Sequence, residues 1–213
     1  IQLLALPGSY SMNQRQFPQT RMRRIRLKPF ARNLCAENQL SANDLIYPVF
    51  VIEGENVRQP IVSMPGIARL SIDLLVQEAQ ECAALGVQAL ALFPYIETAH
   101  KSEDARYAFD DSGLIPRAVK AIKAACPEMG IIVDVALDPY ASHGQDGLID
   151  ESGEILNDKT LEVLAKQALC CAKAGADIVD INLGCSVPKI IKQKCGSYLM
   201  QNESLCGEIF KAV

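Results

Sequence analysis

The chain has 213 residues, 49% of them hydrophobic and 22% charged, with 13 Gly and 11 Pro. Those proportions exclude a disordered, collagen-like or repeat-array chain and fit one globular domain with a tail. A net charge of −4 argues against nucleic-acid binding by bulk electrostatics, and no apolar run approaches the roughly 20 residues of a membrane helix.

Eight cysteines, at 35, 82, 126, 170, 171, 185, 195 and 206, form no C-x-x-C pair and read as the reduced thiols of a cytoplasmic protein. Two histidines, His100 and His143, exclude a His-rich metal site. Ile1 is not an initiator, and Met12 followed by Asn13 and Gln14 reads as a natural start, so residues 1–11 are expected to be a non-native extension. Residues 12–40 are expected to form an arm. Arg15, Arg21, Arg23, Arg24, Arg26, Lys28 and Arg32 stand there with no acidic residue between 15 and 32. Such a run fits either a nucleic-acid or acidic partner, or an extended arm that embraces a neighbouring subunit; the arm is the preferred reading.

From residue 45 a rhythm begins. Residues 45–51 read as a strand too uniformly apolar to face water on either side. Ser71 can cap a helix in which Ile72, Leu75, Val76, Ala79, Cys82 and Ala83 recur at helical spacing until Gly86 closes it. Residues 89–93 are the next buried strand, and 115–126 a second helix, with Pro116 in its first turn and Pro127 after its end. Residues 131–138 read as a third strand. Asp158 opens a third helix with Leu161, Leu164, Ala165, Ala168 and Ala172 on its apolar face, and residues 176–183 read as a fourth strand. Residues 205–213 read as a helix without a capping signal at its end, as if the chain stopped in mid-fold.

Buried strands alternating with amphipathic helices require parallel βαβ units. No G-x-G-x-x-G follows the first strand, which argues against a dinucleotide-binding sheet. Asp134, Asp138 and Asn182 near strand C-termini favour a barrel, whose chemistry gathers at that end. The expected fold is therefore α/β: a partial (β/α)8 TIM barrel of about four βα units with a basic N-terminal arm.

The chemically richest segment runs from Asp134 to Gly147. Asp134, Ala136 and Asp138 alternate and are expected to share one strand face, and Asp146 lies on a loop that can fold back over that end. Converging carboxylates could bind a cation, hold an amino group or shift one another's pKa; equally, Asp138 and Asp146 could simply cap turns beside Pro139 and Gly147.

This stretch resembles the porphobilinogen synthase (5-aminolevulinate dehydratase) family, as do Arg21–Arg24, Asp44–Gly54, Ser63–Gly66, Ala89–Pro94 and Ala174–Asp177. The resemblance runs from about residue 17 to 179. In the family's zinc-dependent branch a D-x-C-x-C-x-Y-x-x-H-G-H-C-G loop carries three cysteine ligands; Ala136, Asp138 and Asp146 stand at those positions here, and Gln145 replaces the second histidine. The resemblance is thus to the magnesium-type branch, and oxygen donors suit hard ions. It implies condensation of two 5-aminolevulinate molecules to porphobilinogen in tetrapyrrole synthesis. It also implies a homo-oligomer, usually an octamer, packed through the arm, with Asp134, Asp138 and Asp146 as active-site carboxylates. The family's two Schiff-base lysines lie on strands beyond the fourth, and neither lysine strand nor the A-P-S-D-M-M-D-G run has a counterpart among these residues. The expectation is a chain inactive alone, with the magnesium site outside it; a non-catalytic half-barrel that associates with other subunits is an alternative.

After Asp177 the resemblance changes. Asp180-Ile-Asn-Leu-Gly-Cys-Ser-Val-Pro-Lys189, Cys195–Met200 and Glu208–Val213 resemble the tRNA-dihydrouridine synthase family, whose D-x-N-x-G-C-P motif supplies a general-acid cysteine and a base-contacting asparagine. Cys185 and Asn182 match those two; Ser186 replaces the proline. On this alternative the cofactor would be FMN and the partner tRNA. The competing reading makes Asn182 a strand end and Cys185 a small buried hydrophobe. The expected organisation is an extension (1–11), an arm (12–40), the first half of a dehydratase-like barrel (41–179) and a reductase-like βα segment (180–213).

Overall fold

The computed structural model describes residues 18, 21, 23–182 and 196–212, and the chain divides into two compact units, Ile1–Leu40 and Ser41–Val213. In the first, two short helices, α1 (Arg24–Leu27) and α2 (Pro29–Leu34), bury none of their residues. Ile25, Leu27, Phe30 and Leu34 are all exposed.

The second unit is built on a six-stranded sheet. In chain order its elements are β1 (Ile46–Val51), β2 (Arg58–Pro60), β3 (Ala68–Leu70), α3 (Ile72–Ala84), β4 (Ala89–Pro94), α4 (Leu114–Ala125), β5 (Gly130–Val135), α5 (Asn157–Ala174), β6 (Ile178–Ile181) and α6 (Glu203–Ala212). The strand order is β2-β3-β1-β4-β5-β6, with every pair parallel except the β2–β3 hairpin. Sequence reasoning missed that hairpin, because strands this short carry no readable alternation.

Period-2 geometry divides each parallel strand between two faces. Val49, Val51, Leu90, Leu92, Ile131, Val133 and Val135 are buried and join the core with Leu75 and Ala79 of α3 and Leu114, Ala118, Val119 and Ile122 of α4. The opposite face is not buried: Ile46 is 58% exposed and Ile178 53%. The expectation that residues 45–51 are dry on both sides is corrected here, since among the described residues helices cover one face alone.

One helix cap and one helix boundary differ from expectation. Ser71 occupies the N-cap position of α3, but its hydroxyl is taken by the Val57 backbone, accepting from Val57 N–H at 2.9 Å, while its carbonyl accepts from Leu75 N–H at 2.8 Å. α5 starts at Asn157, not at Asp158, and its apolar face is rotated from the expected one. Val163, Gln167, Cys170, Cys171 and Ala174 are buried, whereas Leu161 is 60% exposed. Apolar residues surround most of α5, so periodicity alone did not choose the side. Glycines end two helices where a left-handed backbone is needed: Gly86 at φ +83° after α3 and Gly175 at φ +105° after α5.

Candidate functional site

The β5–β6 ladder ends at the pair Val135 and Ile181. Beyond it the Ala136 carbonyl accepts instead from Gln167 Nε2 of α5 at 3.2 Å, and the chain turns. Tyr140 N–H and Ala141 N–H both donate to the Leu137 carbonyl at 2.9 Å. The strand expected over 131–138 therefore stops at Val135. Asp134 lies on it, but Asp138 lies in the turn, so the shared strand face of Asp134, Ala136 and Asp138 does not extend to Asp138.

The turn is braced from a neighbouring loop. Ser102 N–H donates to the Tyr140 carbonyl and Ser142 N–H to the Ser102 carbonyl, both at 3.1 Å. That pairing brings Lys101 near Asp138. A second brace fixes the loop carrying Asp146. Leu148 N–H donates to Thr160 Oγ1 at 3.0 Å, and the same hydroxyl donates to the Leu156 carbonyl at 2.8 Å.

Asp138 and Asp146 come close enough to interact. Asp138 and Asp146 are exposed as residues, but protein crowds the Asp138 carboxyl, and this burial, then the charge of Asp146, raises its pKa, with Lys101 opposing. The effect on Asp134 is larger. Burial first, then Asp180, then Asp138 push its pKa up to about 6. Asp134 Oδ1 is buried with no hydrogen-bond partner among the described residues. A carboxyl in that state can carry a proton near neutral pH, and the Asp138–Asp146 pair can receive an ammonium group.

Several contributors escaped sequence reasoning. Asp180 stands in register with Asp134 across the ladder, a pairing with no local signal. Glu53, after β1, accepts a hydrogen bond from Tyr107 Oη at 3.0 Å and pairs with Arg117 at the start of α4. Tyr107 in turn stacks on His100 at 4.6 Å, which ties the loop after β4 to that after β1. A cleft of about 510 Å³ lies along this loop, lined by His100, Lys101, Ser102, Arg106, Tyr107 and Asp110 among others; it contains none of Asp134, Asp138 and Asp146. The aspartates are the better candidate chemistry, because they hold the perturbed carboxyls. Asn182 follows β6 and is exposed; Cys185 lies outside the described residues.

The donor set at this site is all oxygen, and Ala136 offers no ligand, so a thiolate zinc site does not fit. No group of three His, Cys, Asp or Glu gathers closely enough to hold any metal ion among the described residues. No helix among them is long and apolar enough to cross a membrane.

The chain is similar to known proteins along most of its length. The family model for delta-aminolevulinic acid dehydratase matches residues 19–182, and that for dihydrouridine synthase matches residues 156–213. A delta-aminolevulinic acid dehydratase of Bradyrhizobium diazoefficiens is 48% identical over 159 residues, covering 75% of this chain and 45% of the relative. One from Synechocystis is 43% identical over 166 residues, covering 76% and 50%. Among solved structures, delta-aminolevulinic acid dehydratase (porphobilinogen synthase) from Toxoplasma gondii, in complex with its reaction product porphobilinogen, superposes with a TM-score of 0.72 at 40% identity, covering 87% of this chain and 52% of that one. The chain spans about half the length of the curated relatives it matches.

Proposed function

The chain belongs to the delta-aminolevulinic acid dehydratase family, and from that premise we propose that its β5 end is the carboxylate side of a porphobilinogen-forming site. The observation that carries this reading is the meeting of Asp138 and Asp146 beyond β5, beside an Asp134 whose pKa is about 6. 5-Aminolevulinate bears an ammonium group at one end. The Asp138–Asp146 pair would hold that group, and Asp134 would exchange a proton with the reacting nitrogen or oxygen. Condensation also needs an amine nucleophile to activate the substrate ketone. The family's two Schiff-base lysines have no counterpart in these residues, so the chain alone is read as binding without turnover. Magnesium, the family's implied ion, enters no step here, because the described carboxylates do not form a metal cage.

The sheet is read as four βα units of a (β/α)8 barrel, and the arm as an oligomer contact, with the protein acting in the cytoplasm. Residues 12–40, 41–179 and 180–213 are read as the arm, the half-barrel and the joined tail. The dihydrouridine synthase match supports a second reading confined to the tail. There Cys185 would act as general acid and Asn182 would contact the base, with FMN as cofactor and tRNA as substrate.

The test is a titration of the 213-residue protein with 5-aminolevulinate, followed by calorimetry, alongside an assay for porphobilinogen. Binding that is lost in Asp138→Asn, with no product, is the expected result. Absence of binding, or product formation by this chain, overturns the reading. Yellow flavin absorbance in the purified protein would favour the tail reading instead.

A further inference from the structure

Tyr107 joins three loops at the C-terminal end of the sheet. It lies in a turn of 3-10 helix, Arg106–Phe109, within the loop that follows β4. Its hydroxyl donates to Glu53 Oε1 in the loop after β1 at 3.0 Å, and Arg117 of α4 pairs with the same oxygen. Its ring stacks on His100, with centroids 4.6 Å apart and planes at 18°, and meets the Tyr140 ring at 6.4 Å and 54°. Tyr140 is buried and stands just after Asp138 in the turn beyond β5. One side chain thus ties the Asp138 turn to the end of β1.

The backbone leading to Tyr107 is strained. Ala105 is fully buried at φ +49°, a left-handed conformation that a residue with a Cβ rarely adopts. Such a residue persists where the structure on both sides over-determines it. On one side, Ser102 N–H donates to the Tyr140 carbonyl and the Ser102 carbonyl accepts from Ser142 N–H, both at 3.1 Å. On the other, Ala108 N–H donates to the Ala105 carbonyl at 2.9 Å, and Lys166 of α5 lies over the Phe109 ring at 5.6 Å. The strained residue sits between a backbone clamp on the Asp138 turn and the Tyr107 anchor.

We propose that Tyr107 is a positioning residue: its bond to Glu53 and its contact with Tyr140 fix the turn that carries Asp138, and so place that carboxyl against Asp146. This role rests on the reading of the Asp138–Asp146 pair as the holder of an ammonium group. An ammonium donates in three directions, and two carboxylates serve it together only while they stay close. Releasing the Asp138 turn leaves the ligand one carboxylate where it had two. The same release changes the charge state of Asp138 without any ligand. Burial and then Asp146 raise its pKa, and Lys101, which directly precedes the clamped Ser102, opposes them. Asp134 feels the Asp138 charge in turn. A freed turn exposes the Asp138 carboxyl and draws it away from Asp146. Those two causes outweigh Lys101, so the Asp138 pKa falls when the turn is freed.

Calorimetric titration with 5-aminolevulinate and carboxyl-carbon NMR of the ligand-free protein are the tests, both on the intact chain. Tyr107→Phe keeps the ring contacts and removes the bond to Glu53; Tyr107→Leu removes both. Binding is expected to weaken about threefold to tenfold in Tyr107→Phe, the span of one hydrogen bond, and by more than about tenfold in Tyr107→Leu. In both variants the Asp138 pKa is expected to move down toward the ordinary carboxylate value, further in Tyr107→Leu. Loss of stability alone leaves that pKa unchanged in molecules that stay folded. Tyr47→Phe is the control. It also removes a tyrosine–glutamate bond, Tyr47 Oη to Glu78 Oε1 at 3.4 Å, but at the other end of β1. Binding and the Asp138 pKa are expected to match the parent there. Should Tyr107→Leu lose its far-ultraviolet helix signal, Tyr107→Phe carries both measurements. An Asp138 pKa unmoved in the folded Tyr107 variants, or moved equally by Tyr47→Phe, overturns the proposal. A parent that does not bind 5-aminolevulinate overturns the ammonium reading instead, and the Asp138 titration then decides the positioning by itself.

Discussion

Asp134 on β5 and Asp180 on β6 stand in register on adjacent parallel strands, their side chains on the same face of the sheet. Neighbouring strands lie about 4.8 Å apart, so two carboxylates face each other where one is already partly buried. Burial, then Asp180, then Asp138 raise the Asp134 pKa from 3.8 to about 6. A carboxyl raised in the fold favours the protonated state there. Its contribution to stability is complete below pH 3.8 and is lost as pH rises through about 6.

Asp134→Asn imitates the protonated form at every pH. It is expected to match the parent near pH 3.8 and to exceed it at pH 7.5 by about 1 kcal/mol, a figure reduced for solvent screening of a half-exposed group. Asp180→Asn is expected to shift stability in the same direction by less, because Asp180 is the second cause and burial the first. Urea melts of parent and variants at the two pH values measure this. A gap that does not widen with pH would remove the pair from the account.

Gln167 is 1% exposed in the middle of α5. Its Nε2 donates to the Ala136 carbonyl at 3.2 Å, where the ladder ends, but its Oε1 has no partner among the described residues. Leucine would leave that carbonyl unbonded while removing an orphaned acceptor of similar cost, so Gln167→Leu is expected to change stability by less than about 1 kcal/mol. Gln167→Glu removes the donor and buries a charge beside a carbonyl oxygen. A loss of about 3 kcal/mol is expected, recovered in part at acid pH. Equal effects of the two substitutions in denaturant melts would contradict this.

Legibility in the sequence followed locality. α3 was readable because one face, with Leu75, Ala79 and Cys82, is clearly more apolar than the other, and the structure buries those three. α5 was readable as a helix but not in orientation, since its polar Gln167 is inside and its Leu161 and Leu169 are outside. The end of β5 was hidden because the apolar run continues to Leu137, whereas the ladder stops where β6 stops, a non-local fact. Asp134, Asp138 and Asp146 could be named from spacing and resemblance. Asp180 as a partner of Asp134, and Glu53 as the acceptor for Tyr107 and Arg117, depend on chain segments that meet only after folding.

Asp177 closes the other end of the β5–β6 pair. Its Oδ2 accepts from Ile131 N–H at 2.7 Å and from Lys123 Nζ at 2.6 Å, while Lys123 also donates to the Met129 carbonyl at 2.8 Å. Burial pushes the Asp177 carboxyl up, but Lys123 and the Ile131 N–H together outweigh it and hold the pKa below 3.8. A lowered carboxyl contributes above its unfolded pKa, and the contribution is lost as pH falls below 3.8. Asp177→Ala is expected to cost about 1–2 kcal/mol at pH 7, discounted because the side chain is 46% exposed, and almost nothing near pH 2. The same loss at both pH values would assign the effect to packing instead.

Gly147 follows Asp146 and sits beneath α5. A Cβ there would lie 2.9 Å from both Ile155 Cγ2 and Thr160 Oγ1, and 3.1 Å from Thr160 Cγ2. Thr160 cannot retreat freely, because its hydroxyl accepts from Leu148 N–H and donates to the Leu156 carbonyl. Gly147→Ala must therefore displace the loop or break that brace, at a cost of about 1–3 kcal/mol. Displacement moves Asp146 relative to Asp138, so 5-aminolevulinate binding should weaken more than tenfold in a variant that remains folded. Thr160→Val separates the two consequences. It removes the hydroxyl's bonds and leaves residue 147 without a Cβ, and is expected to destabilise the loop with a smaller effect on binding. If Gly147→Ala binds as the parent does, the loop does not set the position of Asp146.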